Sequence, residues 1–250
     1  MAVAFAFVLT CAAPSGAESF DFSGWDALLK IHVSPSTRSG IRFNAVAYAR
    51  LKEDPRFAQL TGDLGKFPLD RLNNREERLS FWINVYNILA VKTVLDHFPV
   101  KSIKDAGNIV STVWKRPAGT VGGKERTLHE IEHEILRKMG EPRIHSAIVC
   151  ASLSCPDLRT EAFVPGALNA QLDGQMKTFL ENREKGLRVD VQEGRIYLSS
   201  IFKWFAEDFE SRGGVLAFVA QYAAPLDKKI LTSGKNKISY LDYDWSLNGP

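Results

Sequence analysis

Two cysteines lie five residues apart in the middle of the chain, in surroundings that suit a reactive thiol. Cys150 ends the mostly apolar run Ile144–Cys150, and the polar loop after it carries Cys155. The β-branched residues of the run predict a buried strand, and a thiol at a strand end near a histidine is typical of a nucleophile. The two cysteines could equally form a local disulfide, or remain buried and inert.

His133 is a better partner for this thiol than His145. Residues at an odd offset on a strand face opposite sides, and each residue advances about 3.3 Å, so His145 and Cys150 would point apart at roughly 16 Å. His133 belongs to a predicted helix that a tight turn joins to the strand, and the two should pack together. We therefore expect Cys150 to be the nucleophile and His133 its base. Glu132 or Asn87 would orient the imidazole.

The segment FWINVYN places two asparagines beside large aromatic residues. Asn84 and Asn87 are three positions apart, so they share one face of a helix. Asparagine is unfavourable inside a helix and must find hydrogen-bond partners there, which favours a buried structural role over a place in a pocket. The residues expected to line a pocket around the thiol are His145, Arg159, Asn84, Trp82 and Cys155.

The segment His129–His133 matches the zinc-binding pattern H-E-x-x-H. Histidines four positions apart share a helix face, and a zinc hydrolase would need a third ligand, for which His145 and Glu161 are the candidates. However, position 129 lies in the first turn of the predicted helix, and a helix cap already accounts for Glu130. We therefore assign no metal ligand and expect no cofactor, and keep zinc hydrolysis as an alternative.

The elements that must position these residues are predicted from hydrophobic spacing and from helix and turn signals. The strongest helix covers Arg75–His97. Thr127 and Glu130 form a capping box that begins another helix, which Gly140 closes, and Glu193-Gly194 predicts a hairpin turn. The remaining predictions are helices over Ile41–Glu53, Asn169–Glu184, Ser200–Phe209 and Val215–Ala223, a hairpin over Val113–Lys124, and strands over Leu187–Val191, Arg195–Leu198 and Lys237–Asp244.

Helices outnumber strands in this pattern, and the strands come as hairpins and single segments. Without a regular alternation of strand and helix, the chain is predicted to be α+β, with helices packed on a small, mainly antiparallel sheet. After residues 1–17, the rest of the chain, 18–250, is expected to be a single domain.

Residues 1–17 have the composition of an export signal. Met1–Ala13 carries no charged residue, and Ser15 and Ala17 fit the small-residue positions of a cleavage site. Lipidation of Cys11 is the poorer alternative, because Thr10 is bulky for the position before a lipidated cysteine. We expect an exported, periplasmic protein without a transmembrane segment in its mature chain.

The overall charge gives no reason to expect a nucleic-acid partner. The 250 residues carry a formal net charge of +3, and basic and acidic residues are interleaved rather than grouped. The expected partner is instead an unidentified small-molecule or peptide-like substrate.

Four segments together resemble one known family: FWINVYN, TLHEIEHEILR, PRIHSAIVCASLSCPDLR and YLDYDWSLN. In this order they resemble the bacterial exported branch of the family called domain of unknown function 547, from about Ile41 to the C-terminus. The matching positions are Trp82, Asn84, Tyr86, Asn87, Glu132, His133, Arg143, His145, Cys150, Pro156, Arg159, Asp244 and Trp245.

The resemblance bears on three of the open alternatives. An acid usually stands in the family where this chain has His129, which implies that the zinc-like pattern is accidental. Plant relatives carry serine at the position of Cys155, whereas Cys150 matches throughout, which favours Cys150 as the reactive thiol and argues against a structural disulfide. By analogy of fold, the resemblance also implies a cysteine-hydrolase-like architecture.

The leading hypothesis is a thiol-dependent hydrolase or transferase that acts on an amide or thioester. The alternative is a ligand-binding module of the envelope, in which His133, His145 and Glu132 form a structural polar network. That alternative predicts an unreactive thiol and a hydrogen-bond partner for each of these polar groups.

Overall fold

The computed structural model describes residues 19–108 and 111–249. The expected export signal, 1–17, and Cys11 within it lie outside the described residues. Helices predominate, as the α+β prediction requires. The α-helices are α1 (Ser23–His32), α2 (Tyr48–Lys52), α3 (Pro55–Lys66), α4 (Arg75–His97), α5 (Ile144–Ala147), α6 (Leu168–Glu181), α7 (Ile201–Trp204), α8 (Gly214–Tyr222) and α9 (Pro225–Leu231).

Shorter helical segments connect these elements. A π-helix covers Glu130–Leu136. The 3₁₀ helices are Leu69–Arg71, Ile103–Ala106, Val113–Lys115, Arg137–Met139, Pro165–Ala167 and Ala206–Arg212.

The strands form three small sheets. Two are antiparallel hairpins, and in the third a hairpin gains a parallel strand on one edge. The predicted hairpin of residues 187–198 is confirmed, with Leu187 opposite Leu198. The strands are β1 (Val33–Arg38) with β2 (Ile41–Val46), β3 (Pro117–Val121) with β4 (Lys124–Thr127), and β5 (Leu187–Asp190) with β6 (Arg195–Leu198), which pairs in parallel with β7 (Lys237–Tyr240).

Helix α4 is the centre of the fold and has the predicted bounds. The side chain of Asn74 caps its first turn by accepting a hydrogen bond from the backbone N–H of Glu77, at 2.9 Å. All residues from Leu79 to Val91 are buried, so the helix is surrounded by other elements rather than lying on the surface. This burial explains why its two asparagines must find partners inside the protein.

The apolar core has two parts that meet along α6. The first half of α6 contributes Leu168 and Leu172 to the part built around α4. Its second half contributes Met176 and Phe179 to the part formed by β5, β6 and the helices that follow them. The protein surface between the two parts is therefore the natural place for a cavity.

Two predicted elements are wrong. Ile41–Glu53 was expected to be a helix, but it forms strand β2 and the short helix α2, because the Ser39-Gly40 turn, with φ of 51° and 82°, folds β2 back on β1. Ile144–Cys150 was expected to be a strand, but it forms α5 and then an extended segment. The hydrophobic pattern of a short apolar run does not distinguish a buried strand from a buried helix.

The described residues contain no helix that is both long and apolar enough to span a membrane.

Candidate functional site

A cavity of about 420 Å³ lies between the two parts of the core. Its floor carries both cysteines, and its walls combine aromatic rings with a few polar groups. Such a cavity, mostly apolar with convergent polar groups, is the usual form of a small-molecule site. It is lined by Tyr86, Trp114, Glu132, His133, His145, Ile148, Cys150, Cys155, Ile201, Trp204, Phe205, Tyr243 and Trp245.

Asn87 holds the extended segment that leads to Cys150. Its Nδ2 donates to the carbonyl of Ala147 at 2.9 Å, and its Oδ1 accepts from the N–H of Val149 at 2.8 Å. The oxygen and the nitrogen of the Asn87 amide both bond to backbone groups, so this side chain does not orient an imidazole as was expected. The segment makes no strand ladder, and Asn87 supplies the hydrogen bonds that a neighbouring strand would have given.

We expect Asn87→Ala to lower the free energy of unfolding by about 2–4 kcal/mol, because it leaves a buried N–H and a buried carbonyl without partners. Asn73→Ala is the matched control. Asn73 is exposed, so this change should stay within about 0.5 kcal/mol of the wild type. Urea unfolding of the two variants measures both values. Equal stabilities would show that Asn87 does not hold the segment.

The two cysteines are free thiols in direct contact, with their sulfurs 2.6 Å apart. The backbone N–H of Cys150 also donates to Sγ of Cys155 at 3.0 Å. The hydroxyls of Ser152 and Tyr243 lie 3.2 Å and 3.3 Å from Sγ of Cys150. The sulfurs therefore form a small polar cluster at the floor of the cavity.

This cluster favours a single negative charge shared by the two thiols. Burial opposes ionisation of Cys155, but hydrogen bonds from Cys150, Tyr243 and Ser152 lower its pKa to about 6. The hydrogen bond to Cys155, together with burial, raises the pKa of Cys150 well above its usual value. Near neutral pH the pair holds one proton, which the sulfurs can exchange across their contact.

The π-helix brings two polar groups into the wall of the cavity. Thr127 caps its start by accepting from the N–H of Glu130, and Gly140 ends the helical segment with a left-handed φ of 66°, as predicted. π-Helical turns occur frequently at functional sites. The two groups it presents to the cavity are the carboxyl of Glu132 and the imidazole of His133.

Glu132 is a buried carboxyl with a titration range near neutral pH. Burial raises its pKa to about 7, and a hydrogen bond from the hydroxyl of Tyr86 to Oε2, at 3.1 Å, partly opposes this shift. A group with a pKa near the working pH is suited to both giving and taking protons. Glu132 does not orient His133, because its bond goes to Tyr86.

Arg137 fixes the protonation of His133. A guanidinium can only donate, so Nδ1 of His133, 2.9 Å from Arg137, must accept and the ring proton must lie on Nε2. Burial, followed by the neighbouring His129, lowers the pKa of His133, which keeps the ring neutral. In this state His133 is a hydrogen-bond donor rather than the base that was expected.

Asp208 joins Arg137 to the second histidine of the cavity. Its carboxylate accepts from Nε of Arg137 at 2.7 Å and lies 2.7 Å from Nε2 of His145. Burial lowers the pKa of His145, so its ring is neutral and donates to Asp208. His145 also stacks on Phe205, with ring centroids 4.2 Å apart. This network holds both histidines in place.

Four rings form the aromatic wall, which we define as Trp114, Trp204, Tyr243 and Trp245. The ring of Trp245 lies at its centre. The centroid of this ring is 5.6 Å from that of Trp114, 5.8 Å from that of Trp204 and 4.6 Å from that of Tyr243. The ammonium of Lys104 lies over Trp245, 3.7 Å from the ring centroid. The wall offers a large apolar surface to a bound group.

Three expected pocket residues do not line the cavity. Asn84 holds the backbone of Phe163 through both ends of its amide, the structural role that the sequence favoured. Arg159 pairs with Glu161. Trp82 lies in the main core and faces Arg126. The other two expected pocket residues, His145 and Cys155, line the cavity together with Cys150.

The histidine pattern His129–His133 is not arranged as a metal centre. Its two rings are in tilted contact, with centroids 4.4 Å apart and an angle of 34° between their planes. Both expected third ligands are engaged elsewhere, His145 with Asp208 and Glu161 with Arg159. Within residues 19–108 and 111–249, no group of three or more His, Cys, Asp or Glu side chains is placed to hold a metal ion.

The sequence reasoning missed Asp208, Arg137, Tyr243 and the tryptophans of the aromatic wall. Arg137 carried a usable signal, since it lies four positions after His133 on the predicted helix. Tyr243 lies beside Asp244 and Trp245 in the family-like segment YLDYDWSLN, which is the signal that could have found it. Asp208 is far from the cysteines in the chain, and nothing in its local sequence connects it to the site.

Fold and site together define an α+β protein whose cavity contains a pair of adjacent thiols. A family model described as a protein of unknown function, DUF547, matches residues 69–180. Over these residues the chain is similar to this family, in agreement with the resemblance of its sequence. The matched part contains α4, the π-helix and both cysteines. No curated protein matches the chain, and no solved structure does.

Proposed function

We propose that this protein is an exported, thiol-dependent hydrolase or transferase that acts on an amide or thioester bond. The observation that carries the proposal is one cavity in which a thiol pair and the carboxyl of Glu132 both titrate close to neutral pH. Pairs of titratable groups with shifted pKa values in a cleft are typical of acid–base chemistry. The composition of residues 1–17 is the basis for export.

Cys150 is the nucleophile in this proposal, because it is half-buried whereas Cys155 is only 3% exposed. Its sulfur attacks the substrate carbonyl carbon while its proton passes to the thiolate of Cys155. The carbonyl oxygen gains negative charge and accepts a hydrogen bond from Nε2–H of His133, as an oxyanion does from a fixed donor.

Glu132 carries the other proton of the reaction. In its protonated form it gives this proton to the departing amine, which leaves an acyl group on Cys150. Water then attacks the acyl carbon and gives a proton to the Glu132 carboxylate. The bond to Cys150 breaks, the acid product leaves, and the Cys150 sulfur takes back the proton from Cys155, which restores the starting state. A second acceptor in place of water would make the reaction a transfer.

The substrate's acyl group would lie against the aromatic wall. Most of the lining of the cavity is apolar, and Trp245 and Trp204 offer flat surfaces for an apolar or aromatic group. A volume of about 420 Å³ accommodates a small molecule or the end of a peptide-like chain.

One observation favours the second candidate, a ligand-binding module. Glu132, His133 and His145 each already have a hydrogen-bond partner, in Tyr86, Arg137 and Asp208. A binding module needs such a fixed polar network but no reactive thiol. The reactivity of Cys150 therefore separates the two functions.

We expect iodoacetamide to label Cys150 in the fully reduced protein below pH 7, because the thiol pair already carries a negative charge there. Mass spectrometry locates the adduct. The same preparation should release thiol from a phenylacetyl thioester of N-acetylcysteamine, and Cys150→Ala should abolish that release. Ser23→Ala, at an exposed site in α1, is the control. A reduced protein that neither labels at Cys150 nor turns over the thioester would support the binding module.

A further inference from the structure

We propose that Cys150 and Cys155 also act as a redox pair, which a small disulfide entering the cavity oxidises by thiol–disulfide exchange. This activity is separate from the acyl chemistry proposed above. It uses the same sulfurs but requires neither Glu132 nor His133.

The fold places the two sulfurs side by side through the loop between them. Ala151 adopts a left-handed φ of 58°, and the N–H of Cys155 bonds the carbonyl of Ser152 at 3.1 Å, so the chain turns back on itself. A left-handed conformation is costly for alanine and persists where the surroundings impose it. Cys155 is thereby returned to within contact of Cys150.

Backbone hydrogen bonds to the C-terminal segment also hold this loop in place. The N–H groups of Leu153 and Ser154 donate to the carbonyls of Ser246 and Asp244, at 2.8 Å and 3.2 Å. The N–H of Asn248 donates to the carbonyl of Ala151 at 3.0 Å. The sulfurs are therefore held together by backbone hydrogen bonds on both sides of the loop, and bond formation between them needs little rearrangement.

Burial gives the two cysteines different roles. Cys150 is half-buried and open to the cavity, so an external disulfide can reach it. Cys155 is 3% exposed and can react with a sulfur only where that sulfur is already bound to Cys150. Cys150 is thus the attacking thiol and Cys155 the resolving thiol.

The exchange balances without any other reactant. The proton of Cys150 moves to the Cys155 thiolate, and the Cys150 sulfur attacks the small disulfide, which forms a mixed disulfide and releases one thiolate. That thiolate takes the proton from Cys155, whose sulfur then attacks Sγ of Cys150 and expels the second thiolate. The pair loses two electrons to the small disulfide, which leaves as one thiol and one thiolate.

The test uses glutathione disulfide as the probe and the full chain as the sample. The reduced protein is incubated with the probe and quenched with acid. Its intact mass is then measured, and peptide mapping locates each modified cysteine, so that any modification of Cys11 is distinguished from modification of the pair. We expect the wild type to lose two hydrogens and to form a bond between Cys150 and Cys155, with no glutathione retained there. Dithiothreitol should restore both thiols.

Two serine variants test the order of attack. Cys155→Ser should accumulate glutathione on Cys150, because no resolving thiol remains. Cys150→Ser should acquire glutathione on Cys155 at least about ten times more slowly, because Cys155 is buried. Thermal unfolding of each variant shows that it is folded, and Cys155→Ala provides a second variant at the resolving position.

A wild type that keeps both thiols, or that retains glutathione on Cys150, would overturn the redox pair. These outcomes differ from a failure of the acyl chemistry. A protein that forms the disulfide but does not turn over the thioester lacks only the proposed hydrolase activity. A protein that turns over the thioester but does not form the disulfide lacks only the redox activity.

Discussion

Glu132→Gln should slow cleavage of an amide substrate about 10²–10⁴-fold, while cleavage of the matching thioester should fall much less. The difference comes from the leaving group. A departing amine must gain a proton as its bond breaks, whereas a thiolate is stable enough to leave without one. If Glu132 supplies that proton, only the amide depends strongly on it. The two substrates should carry the same phenylacetyl group, so that binding in the cavity is held constant.

The pH dependence of the amide reaction should change in the same variant. In the wild type, kcat/KM should rise as the thiol pair loses a proton at about pH 6 and fall as Glu132 loses its proton at about pH 7. Glutamine cannot titrate, so Glu132→Gln should lose the fall at high pH and keep the rise. A profile unchanged by the substitution would show that another group supplies the proton.

The pH dependence of the stability of the same variant provides an independent test that the pKa of Glu132 is raised in the folded protein. The pKa of Glu132 is raised in the folded protein, so the native state binds a proton more tightly than the unfolded chain does. The wild type should therefore lose stability as the pH rises from the usual glutamate range to about 7. Glu132→Gln should not show this loss. At pH 8 it should be more stable relative to the wild type than at pH 4.

Glu134 provides the matched control for these measurements. It lies two positions away on the same π-helix, but it is exposed and pairs with Lys138. Glu134→Gln makes the same chemical change outside the cavity, so it should leave both substrates and the pH profile unaffected. An equal loss of activity in the two variants would indicate damage to the π-helix rather than removal of a proton carrier.

The sequence predicted the elements that depend on local signals. Helix α4 has a cap at its start and a proline just past its end, and the helical segment closed by Gly140 begins at a capping threonine. The hairpin of β5 and β6 likewise follows from its turn residues. These features are encoded within a few neighbouring positions, and the packing of the rest of the chain does not alter them.

The site was less predictable because distant segments build it. The segment Ile144–Cys150 reads as a strand, and it becomes a helix and an extended stretch because Asn87 in α4 bonds its backbone. The role of His133 depends on Arg137, which in turn is held by Asp208 from a different part of the core. The sequence singled out a thiol and two histidines that line the cavity, but only the hydrogen-bond partners in the fold indicate which nitrogen of His133 carries the proton.

The largest effect on stability should come from Asp157, in the loop that follows the cysteines. Its Oδ1 accepts from Nζ of Lys185 at 2.7 Å and from the backbone N–H of Asn44 at 2.9 Å. Lys185 is only 2% exposed. Asp157→Ala would leave its ammonium buried without a counter-charge, which should lower the free energy of unfolding by about 3–5 kcal/mol, as measured by urea unfolding.

Lys185→Met tests whether the buried charge is the cause. Alone, it should destabilise less than Asp157→Ala, because the carboxylate that remains is 17% exposed and keeps its bond from Asn44. Combined with Asp157→Ala, it should recover much of the lost stability, because no uncompensated charge remains. A double variant no more stable than Asp157→Ala alone would instead assign the loss to the loop itself. In that case the hydrogen bond from the backbone N–H of Asn44 would be the main contribution of the Asp157 side chain.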